Sequence, residues 1–220
     1  MMSWRIKLIP ILGSLLVPIT LMVTSPQTFA YTYNGTAAAN YADKYWSNYN
    51  PNYPSFSDDC TNFVSQSLYA GGLPQVVAYN AHTGVPEYTT YPSYWFLDNA
   101  SIYATSWTVA STLYSHLTQY DDGTLYATHL GTDQAYTDGM SKGDVLFFNW
   151  GEAGNPTGSA GINHAVIQTG YGTTTTLTQT IQGDYVDSHT NNRYHTWWTL
   201  GKYNQHSATT TIYLVKINPS

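Results

Sequence analysis

Cys60 is the only cysteine in 220 residues. It stands in Ser57-Asp58-Asp59-Cys60-Thr61-Asn62-Phe63-Val64-Ser65-Gln66, where polar capping residues give way to an apolar-periodic run. A lone cysteine in a secreted chain has no intrachain disulfide partner, so an oxidisable thiol kept there needs another use. Nucleophilic catalysis is the leading one; a small buried hydrophobe is the plain alternative. A thiol attacks an amide as thiolate, and free cysteine titrates near ~8.5, so it needs help. A helix start at Cys60 supplies partial positive charge and unpaired N–H groups, and the Cys60 N–H itself can hold an oxyanion.

The second requirement is a base, nearly always histidine. Seven compete: His82, His116, His129, His164, His189, His195 and His206. The default for each is a surface or packing role. His164 differs because it opens the apolar run His164-Ala165-Val166-Ile167 directly after the Gly-rich segment 151–161. A strand end beside a mobile loop holds a side chain firmly yet leaves it accessible. His189 also carries weight, closing Tyr185-Val186-Asp187-Ser188-His189.

These groups need elements to hold them. Asn34 caps an expected amphipathic helix over Gly35 to Asn48. A second helix is expected from Cys60 to Ala70, capped by Asp58 or Asp59 and stopped by Gly71-Gly72. A long loop spans Gln75 to Ser93, and a third helix is expected over Trp107 to Tyr120 with Ser106 as cap. After Gly139 the pattern turns to strands: Val145–Trp150, His164–Thr169 ended by Gly170-Tyr171-Gly172, Thr174–Ile181, Tyr185–His189 and Thr209–Ile217. Helices first and antiparallel strands afterwards predict an α+β domain.

Composition narrows the function. Arg5 and Lys7, an apolar stretch from Leu8 to Val23 and Thr28-Phe29-Ala30 predict a signal peptide over residues 1–30, leaving one domain over 31–220. The apolar stretch, interrupted by Pro10 and Pro18, is short for a membrane span, so no stable insertion is expected after cleavage. A net charge of −6, more negative once Arg5 and Lys7 leave, argues against nucleic acid. No metal-ligand spacing, phosphate loop or dinucleotide fingerprint is present, so neither metal nor cofactor is expected.

The stretch Asp58 to Gln66 with Ala70-Gly71-Gly72 resembles the signature of the putative amidase domain family, which is placed with the NlpC-type and CHAP cysteine peptidases of papain-like fold. Gly143-Asp144-Val145-Leu146, Asn163-His164-Ala165-Val166-Ile167 and Ser188-His189-Thr190-Asn191-Asn192-Arg193 extend the resemblance over about Asn34 to Ile217. It implies a papain-like α+β fold with catalytic Cys60 on a helix N-terminus and His164 on a small antiparallel sheet. It implies too that a polar residue on the next strand orients the imidazole: His189 by motif, with Asp187 and Asn191 as alternatives. Asp59, Asn62 and Gln66 would cap the helix and shape the site. The expected activity is a secreted or cell-wall-associated cysteine amidase or peptidase acting on peptidoglycan or a peptide. The alternatives are a catalytically inactive binding module and an acyltransferase using the same Cys-His pair.

Overall fold

The computed structural model describes residues 31–120 and 122–218, so the expected leader lies outside the described residues. Helix α1 (Gly35–Tyr45) begins where expected, with the Asn34 side chain accepting the Ala37 N–H at 3.0 Å. It stops three residues short of Asn48, because the Tyr45 carbonyl accepts from His189 Nε2 (2.8 Å) instead of continuing the helix. Helix α2 (Cys60–Ala70) has the expected bounds. A two-stranded hairpin, β1 (Leu97–Asn99) with β2 (Ile102–Tyr103), was not foreseen.

The third expected helix is two helices, α3 (Thr105–Thr108) and α4 (Ala110–Gln119), separated by Val109 in extended conformation. The Thr112 hydroxyl bonds the carbonyls of Thr105 (3.0 Å) and Val109 (2.9 Å), which splices the two pieces. Ser106 lies inside α3, and its hydroxyl donates to the Tyr94 carbonyl rather than capping.

Six strands form one antiparallel sheet in the order β3-β8-β4-β5-β6-β7. They are β3 (Gly123–Leu130), β4 (Val145–Asn149), β5 (His164–Thr175), β6 (Thr180–Ser188), β7 (Arg193–Trp197) and β8 (Thr211–Ile217). The architecture is α+β. The expected strand over Thr174–Ile181 is instead the hairpin joining β5 to β6, closed by Thr176 Oγ1 donating to the Gln179 carbonyl at 3.1 Å. Gly170 and Gly172 do not end β5. A Cβ on Gly170 would come within 2.8 Å of the Tyr185 hydroxyl, so these glycines let the Tyr185 ring lie across the strand.

Alternation along β4 and β5 divides the interior. Val145, Phe147, Ala165 and Ile167 face the helices and join Phe63, Val64, Leu68, Trp95 and Trp107. Leu146, Phe148 and Val166 face the other way, against Trp197, Trp198 and Leu200. Helix α2 is enclosed: every residue from Cys60 to Leu68 is buried. Three of its polar side chains are therefore partnered by other elements. Ser65 accepts the Trp95 indole N–H (3.1 Å), Gln66 the Tyr41 hydroxyl (2.6 Å) and Asn62 the Trp107 indole N–H (2.9 Å). Such mutual satisfaction fixes α2 against rotation, so the direction in which Cys60 points is set by the core. Among the described residues no helix is long and apolar enough to cross a membrane.

Candidate active site

Cys60 is the first residue of α2 and His164 the first of β5, and the fold brings both to one cleft, close enough for His164 to act on the thiol. Burial pushes the Cys60 thiol up; the charge and hydrogen bond of His164, the Ala165 backbone N–H and the Thr61 hydroxyl together outweigh it and bring it down to about 7. The His164 ring is itself steered by Trp150, which stacks on it at 5.4 Å between centroids. Trp150 opens the 151–161 segment. There the Asn149 amide donates to the carbonyls of Pro156 (3.1 Å) and Gly158 (2.9 Å), and its oxygen accepts the Gly151 N–H (2.9 Å). A Cβ on Gly161 would fall 1.9 Å from the Pro156 carbonyl oxygen, so only glycine lets the loop fold this tightly before His164.

Cys60 and His164 sit in an open cleft of about 400 Å³, whose walls include Asp58, Glu152, Asn163, Ser188, Asn191 and Arg193. Acidic groups and a cation thus face the same space.

His189 does not take the place expected for it. Its Nδ1 lies 2.6 Å from Asp59 Oδ2 and its Nε2 2.8 Å from the Tyr45 carbonyl, so both ring nitrogens are occupied away from the cleft. The ring thus bridges the Asp59 carboxyl group and the Tyr45 carbonyl. It is enclosed between Phe63 and Tyr49, at 4.1 and 4.2 Å between ring centroids. Asp59 stands at the cap position of α2 but makes no side-chain cap bond. Its Oδ1 instead accepts the Phe56 N–H (2.9 Å) and the Asn62 amide (2.8 Å). The three residues brace the loop before Cys60 from below. Gln66 bonds Tyr41, which in turn accepts from Asn50 at 2.9 Å, and this places Gln66 in the α1–α2 packing rather than at the cleft.

Asp187 also faces away. Its Oδ1 accepts the Thr169 hydroxyl (3.2 Å) and the His195 backbone N–H (2.7 Å). Burial, and then the facing Asp43 carboxylate, push Asp187 up to about 8 against the pull of the His195 N–H. Of the residues considered for the third position, only Asn191 lines the cleft.

Sequence reasoning passed over two cleft residues. Continuing the register Ile167↔Asp187 places Ser188 opposite Val166, on the sheet face of His164. Ser188 lines the cleft, and its buried Oγ has no hydrogen-bond partner. The two-residue alternation of the motif was the available signal, since it separates Ser188 from Asp187 and His189. The second is Thr190, whose Oγ1 accepts the N–H groups of both Asp59 (2.8 Å) and Cys60 (3.2 Å). The Cys60 N–H expected to hold an oxyanion is therefore engaged by a hydroxyl. Thr190 and Asn191 both have left-handed backbones, φ 56° and 68°.

An α+β domain with a thiol–imidazole pair at the junction of a buried helix and an antiparallel sheet is the class these features define. The profile of the putative amidase domain matches residues 32–213, and the chain belongs to that family. It is similar to the uncharacterized protein YhbB of Bacillus subtilis (strain 168), 32% identical over 138 residues, which are 63% of this chain and 37% of that protein. It is also similar to the uncharacterized protein YjcM of the same organism, 44% identical over 62 residues, 28% of this chain and 15% of that one. The matched regions thus span well under half of these relatives. No solved structure matches the chain.

Proposed function

We propose that this protein is a secreted cysteine amidase of papain-like arrangement that hydrolyses amide bonds in peptidoglycan. The observation that carries the reading is the Cys60–His164 pair: a thiol at a helix start and an imidazole at a strand start share one open cleft, and the imidazole helps to bring the thiol down to about 7 in spite of burial. A core cysteine packed for volume has no such partner, and burial alone would raise it. Membership of the amidase family agrees with this chemistry.

In this reaction the Cys60 sulfur attacks the amide carbonyl while its proton rests on His164. That proton passes to the departing amine nitrogen as the C–N bond breaks, leaving a thioester. Water then adds to the thioester carbonyl, giving its proton to His164, and the C–S bond breaks to restore the pair. The N–H groups of Asp59 and Cys60 converge on one point and form the oxyanion site once the Thr190 hydroxyl yields it. Ser188 and Asn191, which line the same cleft, would be the groups to orient the His164 ring. Arg193 in the same cleft as Asp58 and Glu152 suits a peptide that carries both a carboxylate and an amine, as wall stem peptides do.

Incubation of the purified protein with peptidoglycan sacculi should release new amino groups. Cys60→Ala and His164→Ala should each lower the rate by about 10⁴-fold or more. The iodoacetamide rate of Cys60 should rise with pH through about 7, and in His164→Ala it should move to or above ~8.5. The sign is that of a lowered acid: thiolate persists down to about 7 and is lost below it. Full activity in Cys60→Ala would overturn the mechanism. Retention on sacculi without turnover would indicate the binding module instead.

A further inference from the structure

Behind the cleft, three groups with ligand chemistry converge from three elements. Asp43 lies in α1, Asp187 in β6 and His195 in β7, and one ligand atom of each is within 4.8 Å of the other two. Asp187 is fully buried, and while its Oδ1 is bonded by Thr169 and the His195 N–H, its Oδ2 is buried without a hydrogen-bond partner. Asp43 faces Asp187 and lies 2.9 Å from His195 Nε2 through its Oδ1. A buried carboxylate facing a second one is a costly arrangement, and the imidazole bonded to Asp43 makes no hydrogen bond to the orphaned Asp187 oxygen.

The surroundings look arranged for a ligand. The His195 ring is clamped between Tyr185 and Tyr194, at 4.0 and 3.8 Å between centroids, so its orientation is set in advance. Thr169 and the His195 N–H fix the Asp187 carboxylate as an outer shell fixes a metal ligand. Asp43 and His195 are about one-third and one-quarter exposed at the side chain (33% and 27%), which leaves an entry path from solvent.

We propose that Asp43, Asp187 and His195 form a binding site for one divalent transition-metal ion of the zinc or manganese class. Two carboxylates and an imidazole suit such ions, whereas calcium takes an all-oxygen shell of higher number. Tetrahedral bonds of about 2.1 Å set ligand atoms ~3.4 Å apart, so separations that lie within 4.8 Å here close by at most ~1.4 Å on binding. The ion ties the last turn of α1 to the β6–β7 edge. Ser188, His189 and Thr190 follow Asp187 directly, so the same ion stiffens the strand end that walls the cleft. The site stands whether or not Cys60 is a nucleophile. It escapes a search for ligand spacing because its members are joined by folding and lie far apart along the chain.

The test uses the chain purified in a Cys60→Ala background, which removes the thiol–imidazole pair as a competing zinc site. After chelator treatment, Zn²⁺ or Mn²⁺ is added, the protein is desalted, and bound ion per chain is measured beside the thermal midpoint. One ion per chain is expected, with the midpoint raised by about 5–10 °C at 100-fold excess over the dissociation constant. His195→Gln and Asp43→Asn should each bind at least ~100-fold more weakly and lose the rise. Calcium should give little shift. Absence of both retained ion and shift would mean that the two carboxyl groups share a proton and would overturn the proposal. Retention undiminished in both variants would place the ion elsewhere and overturn it equally.

Discussion

His189 shows how a residue next to a reaction can matter without touching it. It is hydrogen-bonded to the Asp59 carboxyl group and to the Tyr45 carbonyl, and so joins the end of α1 to the loop that presents Cys60. His189 and Asp59 are both buried, at 2% and 1% side-chain exposure. Removing one member of a buried hydrogen-bonded pair strands the other, which costs about 1–3 kcal/mol. His189→Ala should therefore unfold at lower denaturant, with a loss of that size from equilibrium unfolding; a loss below about 0.5 kcal/mol would show that the bridge does not hold the fold. The residue types at the site were legible because a thiol at a helix start and an imidazole at a strand start are local features. The role of His189 was not, because it depends on Asp59 turning away from the helix it precedes, and only packing reveals that turn.

At the scale of elements, legibility followed the strength of the local signal. Helices α1 and α2 carry a cap or glycine stop, and β4 and β8 are apolar runs, so all four were readable. Strand β3 was missed because it is an edge strand, mostly exposed, with little apolar alternation to betray it. Strand β7 was missed for a different reason: His195, inside it, has a left-handed backbone at φ 47° that no strand pattern anticipates. The turn between β6 and β7 carries its own consequence. Thr190 holds a left-handed conformation while its hydroxyl fills the point where the Asp59 and Cys60 N–H groups meet. Glycine adopts that backbone without strain and leaves the point open. Thr190→Gly should raise kcat/KM on a small amide substrate by a few fold. A tenfold fall would show that the hydroxyl takes part in the reaction.

For the whole molecule, the sheet separates two interiors, one under the helices and one against the β7–β8 connection. Both cores share β4 and β5, so the strand that carries His164 is held from above and below. The described chain also closes on itself. The Tyr31 hydroxyl donates to the Asn218 carbonyl (3.2 Å) and to Asp122 Oδ1 (3.1 Å), which puts the first and last described residues at one place on the surface. A domain whose entry and exit points lie together can be opened elsewhere with little loss. Joining residue 218 to residue 31 through about five glycine and serine residues, with new ends between Thr83 and Gly84 in an exposed turn, should keep the thermal midpoint within about 5 °C of the native protein. A molten or aggregated product would show that the original ends nucleate folding. In engineering terms the domain is a cassette. It can be spliced into the loop of a host protein as readily as fused to its end, and the thiol and imidazole would arrive with their geometry intact.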